Sequence, residues 1–160
     1  IKAWRHVHDL FDEVGADNLI WIWSVNRIDT LPEKPLDRVY PGDDYVDWVG
    51  VSGYYRSETV EPTFDAIFAT TLAELKRVAP KKLVMLTEVG AGTSEANRVA
   101  FINSFFEGLL AHQEIIGFTW FNDFKSGGDW KVQFSQTTTA TFAAGVSDPR
   151  YGPIARQKAV

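Results

Sequence analysis

Residues 81–92 read Lys-Lys-Leu-Val-Met-Leu-Thr-Glu-Val-Gly-Ala-Gly, with an unbroken apolar run at 83–86 between Pro80 and Gly90. A short run without polar alternation has both faces covered, which is the habit of strands in parallel sheets. One acid, Glu88, follows the run, and glycines and a helix start come after it. An acid at the carboxyl end of such a strand lies on the edge where α/β folds place their chemistry.

The neighbouring segments predict more of the same alternation. Val7, Leu10, Phe11 and Val14 form the stripe of an amphipathic helix over 1–14, with Gly15 just past its end. Residues 19–23, Leu-Ile-Trp-Ile-Trp, read as a buried strand, and 24–44, with Pro32, Pro35 and Pro41, as a long polar loop. A second strand is expected within 45–55, where Gly50 and Gly53 mark close approach or a bend. A helix over 64–79 presents Ile67, Phe68, Leu72 and Leu75 on one face, and Pro80 stops it. Ser94 is the expected N-cap of a helix reaching about His112. Residues 115–121 read as a fourth strand, 125–135 as loop and 138–146 as a short helix, with an irregular tail from about 147. Strands recur roughly every thirty residues, the length of a βα unit. The expected fold is therefore α/β with a parallel sheet, in one domain over 1–160.

Composition narrows the partners. Hydrophobic residues make up 45% and charged residues 23%, the balance of a globular chain. A net charge of −5 argues against nucleic acid and anionic membranes. No apolar run has the length of a membrane span, and no signal peptide is recognisable. Ile1, not Met, opens the chain inside a helical pattern, which reads as a processed or trimmed polypeptide. Without cysteine there is neither disulfide nor thiolate chemistry. The 6 tryptophans read first as ordinary core, and also as the flat platforms that sugar-binding clefts use.

The strand exits collect Trp23, Ser24 and Asn26; Ser52, Tyr54 and Tyr55; Glu88; and Trp120, Asn122 and Asp123. Each has a bland alternative: core packing for the tryptophans, a structural hydrogen bond for Tyr54, a salt bridge or helix cap for Glu88. His6 and His8, two apart on a helix, face different sides and do not make a shared metal site. Asp43, Asp44 and Asp47 lack calcium-loop spacing. No metal and no cofactor is expected. Gly90-Ala-Gly92-Thr93-Ser94, between strand and helix, can also be read as a phosphate cradle, although it lacks the dinucleotide and P-loop signatures.

Five segments resemble the glycoside hydrolase family 26 β-mannanases. They are Trp-Arg-His-Val-His-Asp-Leu-Phe (4–11), Ile-Trp-Ile-Trp-Ser-Val-Asn (20–26), Tyr-Pro-Gly-Asp-Asp-Tyr-Val-Asp-Trp-Val-Gly-Val-Ser-Gly-Tyr (40–54), Leu-Thr-Glu-Val-Gly (86–90) and Trp-Phe-Asn (120–122). They come in the family's order, and the third is the most specific. The resemblance implies a retaining endoglycanase on a (β/α)8 TIM barrel, of which this chain is the C-terminal half, strands five to eight. It implies Glu88 as nucleophile, Tyr54 beside it, and Trp120 flooring the subsite next to the cleaved bond. Trp23, Asn26, Ser52 and Asn122 are the accompanying candidates for substrate binding. Where the family commonly has an aspartate two residues before the tyrosine, this chain has Ser52. Nothing here resembles the family's acid/base segment, His-Glu-Met-Asn.

From these expectations follow others. A retaining glycosidase needs two carboxyl groups about 5–5.5 Å apart, and only one is credibly placed here. The isolated chain is expected not to hydrolyse glycans. A half-barrel would carry unpaired edges, so the expected partners are a polysaccharide or oligosaccharide substrate and either the missing N-terminal half or a second copy. The family implies an extracellular or cell-surface setting. A non-catalytic glycan-binding module, a phosphate-binding domain using residues 90–94 and a purely structural fragment stand as alternatives.

Overall fold

The computed structural model describes residues 1–28, 35–125 and 128–151. The elements are α1 (Lys2–Glu13), β1 (Ile22–Asn26), β2 (Trp48–Tyr55), α2 (Phe64–Val78), β3 (Leu83–Ala91), α3 (Glu95–Ala111), β4 (Ile115–Trp120), the short hairpin β5 (Phe124–Lys125) and β6 (Gly128–Asp129), and α4 (Gln136–Val146). Strands β1 to β4 form one sheet in the order β1-β2-β3-β4, every pair parallel. Each strand therefore lies beside the next in sequence. This is how a (β/α)8 barrel is laid down, with no reversal of strand order of the doubly wound kind.

Helices α2 and α3 cover one face of the sheet. Phe64, Ile67, Phe68 and Leu75 of α2 and Phe101, Ile102 and Phe105 of α3 are buried against Val49, Val51, Tyr55, Val84, Leu86 and Val89. Burial of such a side chain contributes about 1.5–3 kcal/mol, so this layer dominates stability. Thr63 caps α2 by accepting from the Ala66 amide at 3.2 Å. The close approach expected at Gly53 is real: a Cβ there would stand 2.4 Å from a ring carbon of Phe68. The opposite, inner face carries the polar residues.

Several boundaries differ from expectation. β1 runs over Ile22–Asn26 rather than 19–23, and Leu19 and Ile20 are exposed at 40% and 55%. The reason is a polar clasp before the strand: the Trp21 amide donates to Asp47 Oδ2 at 2.7 Å, and Trp21 O accepts from the Asp47 amide at 2.9 Å. Ser24 and Asn26 thus belong to a strand, not a loop, while 29–34 of the expected loop lie outside the described residues. β3 continues through Glu88 to Ala91, so the acid sits within the sheet. Ser94 makes no side-chain cap for α3. α4 starts earlier than expected because Ser135 and Thr138 close a reciprocal capping box.

The sheet edges are open. Ile116 on β4 and Leu110 on α3 are 41% and 50% exposed beside an open groove of about 300 Å³, and Val7, Leu10 and Phe11 of α1, with Val14 just past its end, are exposed at the other end. These are the surfaces that further strands and helices cover in a closed barrel.

Candidate active site

The inner face is ordered by register. Asn26 pairs with Ser52 across β1 and β2, and Ser52 pairs with Glu88 across β2 and β3. Side chains in register on neighbouring strands share a face, so these three form one row. One step further along β2 stands Tyr54, opposite Gly90. Asn26, Arg27, Ser52, Tyr54, Arg56 and Glu88 line an open cleft of about 280 Å³.

Burial, followed by hydrogen bonding to Glu88 and the carboxylate's charge, pushes the Tyr54 phenol up to about 12, against a smaller pull from the Arg56 guanidinium. At neutral pH the phenol is therefore a proton donor to the acid. Its ring is held edge-on by Trp130 at 5.1 Å and Phe121 at 5.9 Å, with the Arg56 guanidinium 4.6 Å over its face. Trp130 is itself buried, and its loop is tied down from behind. Arg98, buried in α3, donates Nε to Thr93 O at 2.7 Å and Nη2 to Asp129 O, and Asn122 Oδ1 accepts from the Val132 amide at 2.7 Å.

The structure brings Glu88, Tyr54, Asn26 and Ser52 together, and it separates Trp23, Trp120 and Asn122 from them. Trp23 pairs with Val49 and so faces the helices; only 7% exposed, it packs on Tyr40 at 5.1 Å. Trp120 pairs with Val89, also core-facing, and lies against Phe142, Phe105 and Phe101 at 5.0, 5.7 and 6.4 Å. Trp23 is buried in the core and Trp120, partly buried, packs against it; strand parity points both away from the row of Asn26, Ser52 and Glu88. Asn122 spends its carbonyl oxygen on the Val132 amide, outside the row.

The phosphate-cradle reading of residues 90–94 is corrected as well. Those glycines are small because rings lie on them: a Cβ at Gly90 would be 2.9 Å from the Tyr54 ring, and one at Gly92 2.6 Å from Trp130. The Ser94 amide at the head of α3 already donates to the Glu58 carboxylate at 3.0 Å.

Sequence reasoning missed Arg27, Arg56, Thr87 and Trp130. Arg56 was within reach, since it continues the alternation of Ser52 and Tyr54. Trp130 was not, because nothing local to its loop marks the ring as a partner of Tyr54.

A parallel sheet of consecutive strands, covered by helices on one face and carrying an acid and a phenol on the other, is part of a (β/α)8 barrel with polar groups on its inner face. The chain belongs to glycosyl hydrolase family 26, whose model matches residues 2–138. It is 26% identical over 159 residues to Endoglucanase H of Acetivibrio thermocellus, covering 93% of this chain and 17% of that protein. It is 25% identical over 154 residues to the beta-1,3-xylanase TXYA of a Vibrio species, covering 84% of this chain and 34% of the other. Among solved structures, the family 26 endo-beta-1,4-mannanase domain of Bacillus sp. JAMB-750 superposes with a TM-score of 0.68 at 20% identity, over 92% of this chain and 43% of that one. The beta-mannanase of Bacteroides ovatus gives 0.63 at 23%, over 93% and 43%. The chain thus spans less than half the length of each of these relatives, and its fold is that of half a barrel.

Proposed function

We propose that this chain supplies the nucleophile side of the active site of a retaining endo-glycosidase acting on β-linked polysaccharide, with β-1,4-mannan favoured. The observation that carries the reading is the row Asn26–Ser52–Glu88 with the protonated Tyr54 phenol beside it. The Glu88 carboxylate attacks the anomeric carbon, and the bond to the leaving oxygen breaks as a second carboxylic acid protonates that oxygen. The same second group, now a carboxylate, takes a proton from water, which attacks the glycosyl ester and frees Glu88. Tyr54 donates to Glu88 and aims the carboxylate. Asn26 and Ser52 hydrogen-bond sugar hydroxyls along the row. Among the described residues no second carboxylate lines the cleft, so the acid/base comes from the N-terminal half of the barrel. By the same reading this chain alone does not turn over glycans, and the partner closing the sheet edges is that half or a second copy. Family membership and the mannanase, endoglucanase and xylanase names of the relatives support a β-glycan substrate. A polymer of that kind is met outside the cell, which supports an extracellular or cell-surface setting; activity confined to cell lysate and absent from the medium would oppose it.

The test is to join this chain to an N-terminal half-barrel and treat the product with a 2-deoxy-2-fluoro-β-mannosyl fluoride. A stable label on the peptide containing Glu88 is expected. A label elsewhere, or none in a preparation that hydrolyses mannan, overturns the assignment.

A further inference from the structure

Between Leu86 and Val89, strand β3 carries one residue more than the stretches of β2 and β4 that pair with it. Along β2, Val51 pairs with Leu86 but the next residue, Ser52, pairs with Glu88. Along β4, Phe118 pairs with Leu86 and Trp120 with Val89, two residues against three. The extra residue is a β-bulge, and its effect is on facing. Leu86 and Val89, three apart, are both fully buried against the helices. Thr87 and Glu88, adjacent, both face inward. In an unbulged strand Glu88 would share parity with Val84 and Leu86 and point into the phenylalanine layer.

Something must hold the surplus residue, and the side chain at hand is Thr87. Its Oγ1 lies 2.5 Å from Ser24 Oγ on β1 and 3.2 Å from Ser52 Oγ on β2, a hydroxyl chain across three strands. A threonine hydroxyl can donate to one partner and accept from the other. Its methyl lies over Gly50, where a Cβ would stand 2.8 Å from Thr87 Cγ2 and 3.1 Å from Ser24 Oγ. The glycine is the gap through which the bridge reaches β1.

We infer that Thr87 is a positioning residue: by bridging Ser24 and Ser52 its hydroxyl fixes the bulge that turns the Glu88 carboxylate onto the cleft. This rests on the nucleophile role proposed for Glu88. Misplacement of a reacting group by about 1 Å can cost 10²-fold in rate, so loss of the bridge is a kinetic lesion before it is a folding one.

The experiment compares Thr87→Val, which keeps the branch and removes the hydroxyl, with Thr87→Ser, which keeps the hydroxyl, in the enzyme with a complete barrel and well below its melting temperature. Expected for Thr87→Val is a kcat lower by roughly 10- to 10²-fold at nearly unchanged KM, with Thr87→Ser within about threefold of the parent. Cross-strand NOEs between residues 52 and 88 should be lost in the first and kept in the second. Should Thr87→Val not fold, Ser24→Ala removes the shorter arm of the bridge without touching the cleft lining and is expected to lower kcat in the same direction at nearly unchanged KM. Unchanged kcat, equal losses in both Thr87 variants, or lost activity with the 52–88 NOEs intact would each overturn the inference. A parent enzyme that hydrolyses no glycan, with NOEs that still move in Thr87→Val, would sink the nucleophile reading and leave the positioning role standing.

Discussion

Ser52 lies opposite Glu88, although its predecessor Val51 lies opposite Leu86. That one-residue slip puts a carboxylate into the same row as a serine and an asparagine, on the face away from the hydrophobic layer. The acid's surroundings follow from it: Tyr54 beside it, Arg56 on the far side of the phenol, and the open cleft in front.

If Glu88 is the nucleophile, Glu88→Gln in a complete-barrel enzyme keeps shape and loses the attacking oxygen. Turnover of mannan should fall by about 10³-fold or more, which corresponds to about 4 kcal/mol of barrel-bound transition-state stabilisation. Melting temperature should stay near that of the parent. Steady-state kinetics alongside thermal melts separate the two quantities.

The Tyr54 phenol should titrate near pH 12, well above an ordinary tyrosine. Its folded-state value is raised, so its contribution to stability is complete below about pH 10 and fades as pH climbs toward 12. In Glu88→Gln the value should move down but stay above 10, since burial is the largest cause and remains. Absorbance titration at the phenolate band, with Tyr54→Phe to identify the transition, checks this; an upward move on losing the carboxylate would contradict it.

Trp120 packs against the core through Phe101, Phe105 and Phe142, so its truncation should act on folding. Trp120→Ala is expected to cost about 3 kcal/mol, the low end for a buried tryptophan because the ring is only partly covered. Its indole N–H is buried and finds no partner among the described residues, so no hydrogen bond is lost with it. Denaturant melts should show the cost. KM for oligosaccharide should stay within about twofold, whereas a sugar platform there would raise it tenfold or more.

Gly108 sets how closely α3 approaches α2. A Cβ there would stand 2.2 Å from Cγ of Phe64. Helix propensity alone favours Gly108→Ala by about 1 kcal/mol, but overpacking costs about 1–3 kcal/mol and the contact is with a fully buried ring. The net effect should be destabilisation, read as a lower melting temperature; a rise would show that the helices can part freely.

Local pattern determined much of this protein by itself. The helices over Lys2–Glu13, Phe64–Val78 and Glu95–Ala111 follow from apolar spacing, and the apolar runs marked four parallel strands, because covering both faces of a sheet demands continuous hydrophobicity. The segments around Tyr54 and Glu88 pointed to the family. What only the tertiary structure decided is facing. Parity along a strand says which residues share a side, but not which side meets the helices, and a single bulge inverts the answer downstream. So Trp23 and Trp120, plausible at strand exits, turn into the core through their pairing with Val49 and Val89, and Glu88, whose parity with Leu86 would have buried it, reaches the cleft. The insertion shows up only in how β3 lies against its two neighbours, since a residue is surplus only relative to the strands beside it.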